Sequence, residues 1–251
     1  MSPTLAEFLG TTILVLFGNG VVANVVLART KGNGGGWIVI TTGWALAVFV
    51  GAFCAAPFSG AHLNPAVTLA MAATGKLTAS EVPGYLVAQM LGGVMGGTLV
   101  FLFYREHFKA SNDQAGKRAC FCTAPNIRHL PQALFCEAVG TFLLVLPVFL
   151  MTEATVKLPS TAGVTREIPI GLGTLGALPV ALLVFGIGLS LGGTTGYAIN
   201  PARDLGPRLA HAFLPIPGKG GSDWGYAWVP VAGPIIGAAL AAAIYLALGG
   251  I

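Results

Sequence analysis

Charge is what this sequence has least of. Only 9% of its 251 residues are Asp, Glu, Lys or Arg, against roughly a quarter in ordinary globular proteins. So sparse a charged surface excludes a water-soluble domain of the usual kind. The net charge of +4 is spread along the chain with no long Lys/Arg run, which excludes a nucleic-acid footprint, since that needs a basic face or stripe. Cysteine is scarce too. Cys54, Cys120, Cys122 and Cys136 fit no zinc spacing, and Cys120-Phe121-Cys122 is tighter than the usual Cys-x-x-Cys pair. No metal or other cofactor is expected. A basic segment ahead of the first apolar run is also lacking, so that run is expected to stay in the mature protein.

What the chain has is apolar residues, at 55%, and 36 glycines. That glycine share disfavours a soluble helical bundle, whereas small residues let membrane helices approach closely. A membrane span needs about 20 apolar residues, and the few charges divide the chain into such stretches. Residues 8–28, 82–104, 131–151 and 224–251 each make one span, the third of them holding the intramembrane acid Glu137. Residues 32–75 and 168–202 are uncharged throughout and too long for one helix. Between spans, 105–130 reads as the longest polar loop, with five of the thirteen basic residues, and 152–167 as a second.

The two over-long stretches have the same form. Each runs through apolar residues into small polar ones and then Asn-Pro-Ala: Asn64-Pro65-Ala66 and Asn200-Pro201-Ala202. Asn is a favoured helix N-cap and Pro a favoured first helical residue, so each motif reads as the start of a short helix. The approaches, 59–63 and 195–199, read as irregular backbone at membrane depth. Such backbone is tolerated only inside protein or beside a water-filled cavity. The halves also repeat: Glu7-Phe8-Leu9-Gly10-Thr11 is echoed by Glu137-Ala138-Val139-Gly140-Thr141. With three spans per half, the second copy is inverted. The expected fold is an all-α membrane protein with six transmembrane helices and two re-entrant half-helices, as one channel domain of repeats 1–104 and 131–251.

The paired motifs, their surroundings and the helix count resemble the aquaporin family. The fuller second motif, Asn200-Pro201-Ala202-Arg203-Asp204, resembles its glycerol-facilitator branch. The resemblance covers essentially the whole chain. It implies a constriction lined by Trp44, Gly188, Tyr197 and Arg203, where water-selective members carry a His in place of Gly188. Asp204, Arg208, Pro230 and Val231 also match positions at which glycerol-conducting members differ from water channels. Tyr197 departs from the Phe of some bacterial members. The resemblance further implies a homotetramer in the lipid bilayer of the cell membrane, with cytoplasmic termini. The basic residues point the other way: seven lie in the segments after the first and third spans and three on the opposite face, a bias that topology can override.

The implied activity is passive diffusion of glycerol, other small uncharged solutes and water, with ions and protons excluded. Asn64 and Asn200 would offer amide donors to a passing oxygen, reinforced by two half-helix dipoles. Arg203 would read solute hydroxyls and repel cations, against an apolar wall of Trp44 and Tyr197. Glu7 and Glu137 are expected to accept hydrogen bonds from the irregular loops. His62 is read as structural and Asp204 as organising the loop around Arg203. The rivals are a channel mainly for water or for protonated lactic acid or urea, and a coupled secondary transporter, which also uses inverted repeats. Enzyme activity is not expected. Gly171-Leu172-Gly173-Thr174-Leu175-Gly176 has no strand before it, and Gly188-Leu189-Ser190-Leu191-Gly192 lies in an apolar span without a nucleophile-elbow context.

Overall fold

Side-chain caps set half of the α-helix starts among the described residues. Ser2 accepts from the Leu5 N–H ahead of Pro3, opening α1 (Pro3–Val26). Helix α2 (Gly36–Ser59) stops at Gly60, whose φ of +77° is the left-handed C-cap that glycine supplies without strain. Asn64 and Asn200 cap α3 (Pro65–Ala73) and α9 (Pro201–Phe213), each with Pro at the first helical position. The remaining long helices are α4 (Val82–Phe103), α7 (Leu130–Leu150), α8 (Leu178–Ser190) and α10 (Val229–Ala247). A 3₁₀ turn, Gly173–Ala177, leads into α8. This computed structural model describes residues 1–152, 155–159 and 165–250.

Among the described residues, six helical segments are long and apolar enough to cross a membrane. At 1.5 Å per residue, the 24 residues of α1 reach about 36 Å, past a hydrocarbon core of about 30 Å. The nine residues of α3 and thirteen of α9 reach only about 14 and 20 Å. Neither can span.

Packing exchanges elements between the halves. Helix α1 lies against α2 and α4, and α7 against α10, while α9 rests on α4 and α3 rests on α10. Each half-helix thus leans on the last span of the opposite half. Matched glycines allow the closest crossings. A Cβ on Gly92 would come within 2.6 Å of the Phe8 carbonyl on α1, and one on Gly237 within 2.0 Å of the Ala138 carbonyl on α7. No real side chain fits there, which explains part of the glycine excess.

Two connections differ from expectation. Residues 105–130 are not a loop throughout: they form the short helices α5 (Arg105–Ala110) and α6 (Gln114–Ala119), the second capped by Asp113. Phe108, Cys120 and Phe121 are fully buried there, against Leu27 and Phe101. Their charged neighbours masked that apolar side. The other segment, 152–167, contributes to an antiparallel hairpin, β1 (Thr155–Pro159) with β2 (Thr165–Pro169), Val156 opposite Ile168.

Candidate functional site

The two approach loops are bent the same way. Ala61 and Leu63 have positive φ, as do the matched Tyr197 and Ile199. Non-glycine residues rarely sit there, so something must hold them. Two buried carboxylates do. Glu7 accepts from the backbone N–H groups of His62 and Leu63 at 2.9 and 2.7 Å and from the Ser59 hydroxyl at 2.6 Å. Glu137 accepts from Ala198 and Ile199 N–H at 3.0 and 2.7 Å and from the Thr195 hydroxyl at 2.7 Å. Each carboxylate takes up loop donors that a helix would otherwise satisfy.

The asparagines then tie the loops to each other. Asn64 Oδ1 accepts from Ala66 N–H, and Asn200 Oδ1 from Ala202 and Arg203 N–H. Asn64 Nδ2 donates to the Ile199 carbonyl and Asn200 Nδ2 to the Leu63 carbonyl, both at 2.8 Å. A primary amide has two N–H donors. One of each is spent across the pseudo-two-fold, leaving one for a ligand. Nothing in the sequence signalled this exchange.

A cavity of about 580 Å³ runs past both asparagines, lined by 60–64 on one side and 197–200 on the other. A second, of about 230 Å³, is lined by Cys122, Thr123, Ala124 and 192–197. Trp44, Tyr197 and Arg203 line both. These three therefore form the neck between the two spaces. The Arg203 guanidinium stacks 3.9 Å over the Trp44 ring, and its NH1, buried, has no protein partner among the described residues. An unpaired guanidinium N–H at a neck is a donor waiting for an acceptor.

Gly188 is in the neck's wall but on neither cavity's lining. A Cβ there would lie 2.9 Å from Tyr197 Cζ and 3.0 Å from Thr41 Cγ2. The space Gly188 leaves is taken by the Tyr197 ring, whose hydroxyl is buried without a partner among the described residues. Trp44 has a matching recess, because a Cβ on Gly18 would come within 2.2 Å of its ring. Nothing in the sequence pointed to Gly18.

The supporting residues divide. His62 lines the larger cavity, its Nδ1 3.2 Å from Thr68 Oγ1. Gln89, not singled out from the sequence, bridges Glu7 and Thr68 at 2.7 and 2.8 Å. Asp204 reaches away from the loop before Arg203 to another segment. It accepts from the N–H and hydroxyl of Thr123, both at 2.7 Å, and pairs with Arg208. Arg208 in turn donates to the carbonyls of Thr123 and Ser222. Both ions are fully buried, and their many hydrogen bonds offset the desolvation that would otherwise make such a pair costly. Asn19 holds the same segment through the Phe121 carbonyl at 3.2 Å.

Outside the spans, the Asp223 carboxylate is held below the usual range, first by its hydrogen bonds to Arg128. Burial pushes the Cys122 thiol up to about 12, so the mouth carries no thiolate. Among the described residues, no cluster of His, Cys, Asp and Glu has a metal-binding arrangement.

The family model described as major intrinsic protein matches residues 1–245. The chain is 50% identical over 251 residues to a probable glycerol uptake facilitator protein of Thermotoga maritima, covering 98% of each chain. It is 49% identical over 245 residues to the glycerol uptake facilitator protein of Streptococcus pneumoniae, again with 98% of each covered. Its fold matches the crystal structure of the aquaglyceroporin from Plasmodium falciparum with a TM-score of 0.78 at 31% identity, over 96% of this chain and 93% of that one.

Proposed function

The chain belongs to the major intrinsic protein family and is a multi-pass membrane protein; from that premise we propose that it is a passive channel for glycerol, other small uncharged solutes and water, excluding ions and protons. One observation carries the proposal: two half-helix N-termini meet at cross-bonded asparagines inside a continuous cavity.

A solute oxygen at that point accepts the free N–H of Asn64 and of Asn200. Both half-helix dipoles present their positive ends there, which raises the energy of a cation. At the neck, Arg203 donates to hydroxyls through its unpaired NH1 while Trp44 and Tyr197 face the carbon backbone. Pro65, Ala66, Pro201 and Ala202 start the half-helices, and Glu7, Glu137, His62 and Asp204 hold the loops and mouth in place. No step needs a covalent bond or a cofactor. A homotetramer in the bilayer belongs to the same proposal and rests on the family resemblance. A monomer mass in native mass spectrometry from detergent would remove it.

Stopped-flow light scattering on proteoliposomes tests the main reading. Glycerol and water should both equilibrate faster than in empty vesicles, with no saturation. Uptake that collapses with a proton or sodium gradient would indicate a coupled transporter instead. A second reading has one observation in its favour. Tyr197 fills the recess beside Gly188, so that recess adds no width to the neck, which suits a channel mainly for water. Water flux without glycerol flux decides for it.

A further inference from the structure

Trp37 lies about two turns before the neck residue Trp44 on α2. Trp37, Thr41 and Trp44 follow the i, i+4, i+7 spacing of one helix face. The Trp37 indole lines the smaller cavity. Its Nε1–H donates to the Gly188 carbonyl at 2.9 Å. That carbonyl is in the last turn of α8, where carbonyls outrun the helix's own donors. The Leu191 N–H closes on Ile187, and the next carbonyl is the one Trp37 takes. The same indole meets the Tyr197 ring edge-on, centroids 5.8 Å apart at 76°. A Cβ on Gly192 would lie 2.4 Å from Tyr197 Cδ1 and 2.9 Å from Trp37 Cζ2. Tyr197 thus stands in a slot walled by Gly188, Gly192, Thr41 and Trp37, and its hydroxyl bonds to none of them.

Among the described residues, no hydrogen bond therefore fixes the Tyr197 ring. Its backbone N–H is held by Thr195 Oγ1 at 3.3 Å, but that leaves the side-chain torsions of the ring free. What remains is the shape of the slot. Gly188 and Gly192 make room, and Trp37 closes the side toward the smaller cavity while fixing the end of α8 to α2.

We propose that Trp37 is a specificity-determining positioning residue: it keeps the Tyr197 ring in the slot on α8 and so sets the width of the neck. Without it the ring leans toward Arg203, and the neck narrows for glycerol before it narrows for water. This rests on the neutral-solute channel reading above and extends it to a residue that bonds to the wall and not to the solute.

Glycerol and water permeabilities measured on the same proteoliposomes, normalised to inserted protein, test it. Trp37→Ala should lower the glycerol-to-water ratio by about two- to tenfold, the fold-change equivalent of one aromatic pair. Trp37→Phe keeps a ring edge but loses the N–H donor, and should fall between. In a Tyr197→Ala background, Trp37→Ala should leave the ratio unmoved, because the ring it positions is gone. An unchanged ratio in both single variants overturns the proposal, as does an equal fall with and without Tyr197. A wild-type protein passing no glycerol overturns the channel reading itself.

Discussion

The two half-helix cradles are built to one plan and finished differently. Glu7 and Glu137 each hold a loop with two positive-φ residues, and Asn64 and Asn200 cap the helices that follow. Beyond the caps they part. The third and fourth positions after Asn64 are Val67 and Thr68, while those after Asn200 are Arg203 and Asp204. In the first half, Gln89 joins Glu7 to Thr68, so the cradle closes on itself. In the second, Asp204 and Arg208 reach out to Thr123 and Ser222 at the mouth. The shared part makes a pore. The divergent part puts the charged group of the neck, Arg203, in the second half, so charge discrimination belongs to that half.

The strongest way to break this comparison is to remove what the halves share. Glu137→Ala strands two backbone N–H donors and a hydroxyl, each costing about 1–3 kcal/mol if buried unpaired. Glu7→Ala strands the same set and the Gln89 amide besides. Both variants should lose thermal stability in detergent and glycerol flux together, Glu7→Ala at least as severely. Wild-type melting in either would remove the carboxylates from the account.

The next test attacks the difference. Arg203→Ala should admit cations, read as ion conductance in planar bilayers, while Val67→Ala, its counterpart, should not. Equal leak from both would mean that exclusion is shared by the halves. Gly188→His comes third. It should lower glycerol flux by about tenfold or more, the scale on which one pocket contact discriminates, and spare water. A parallel fall in both solutes would point to a displaced Tyr197 and a closed neck. The smallest effect is expected at the rim. Asp223→Asn removes the pair with Arg128 and should cost under about 1 kcal/mol, as partly exposed pairs do. The sign follows from a depressed carboxylate: its stabilisation is present above the ordinary Asp range and is lost as pH falls through the lowered value. The melting difference between wild type and Asp223→Asn should therefore vanish in acid.

Local signals were legible in the sequence and tertiary ones were not. Charges bounded the spans within a few residues, and Asn-Pro marked both half-helix starts because capping chemistry is local. Glu7 and Glu137 stood out because acids in apolar runs are rare. Gly188 was read as room for solute, but which ring fills that room depends on α2 and α8 packing together. Trp37, Gly18, Asn19 and Gln89 act across elements far apart in the chain, and no spacing announces them. The helices in 105–130 were hidden because Phe108 and Phe121, both buried, stand in the sequence among the basic residues Arg105, Lys109, Lys117 and Arg118.

One measurement bears most directly on the claim that a shared pore passes neutral solutes and is made charge-selective by its second half. Proteoliposomes loaded with a pH-sensitive dye, given a glycerol gradient and a proton gradient together, report both fluxes from the same vesicles. The account predicts rapid glycerol equilibration while the proton gradient decays no faster than in empty vesicles. Proton decay that rises in step with glycerol flux, or no glycerol flux at all, would contradict it.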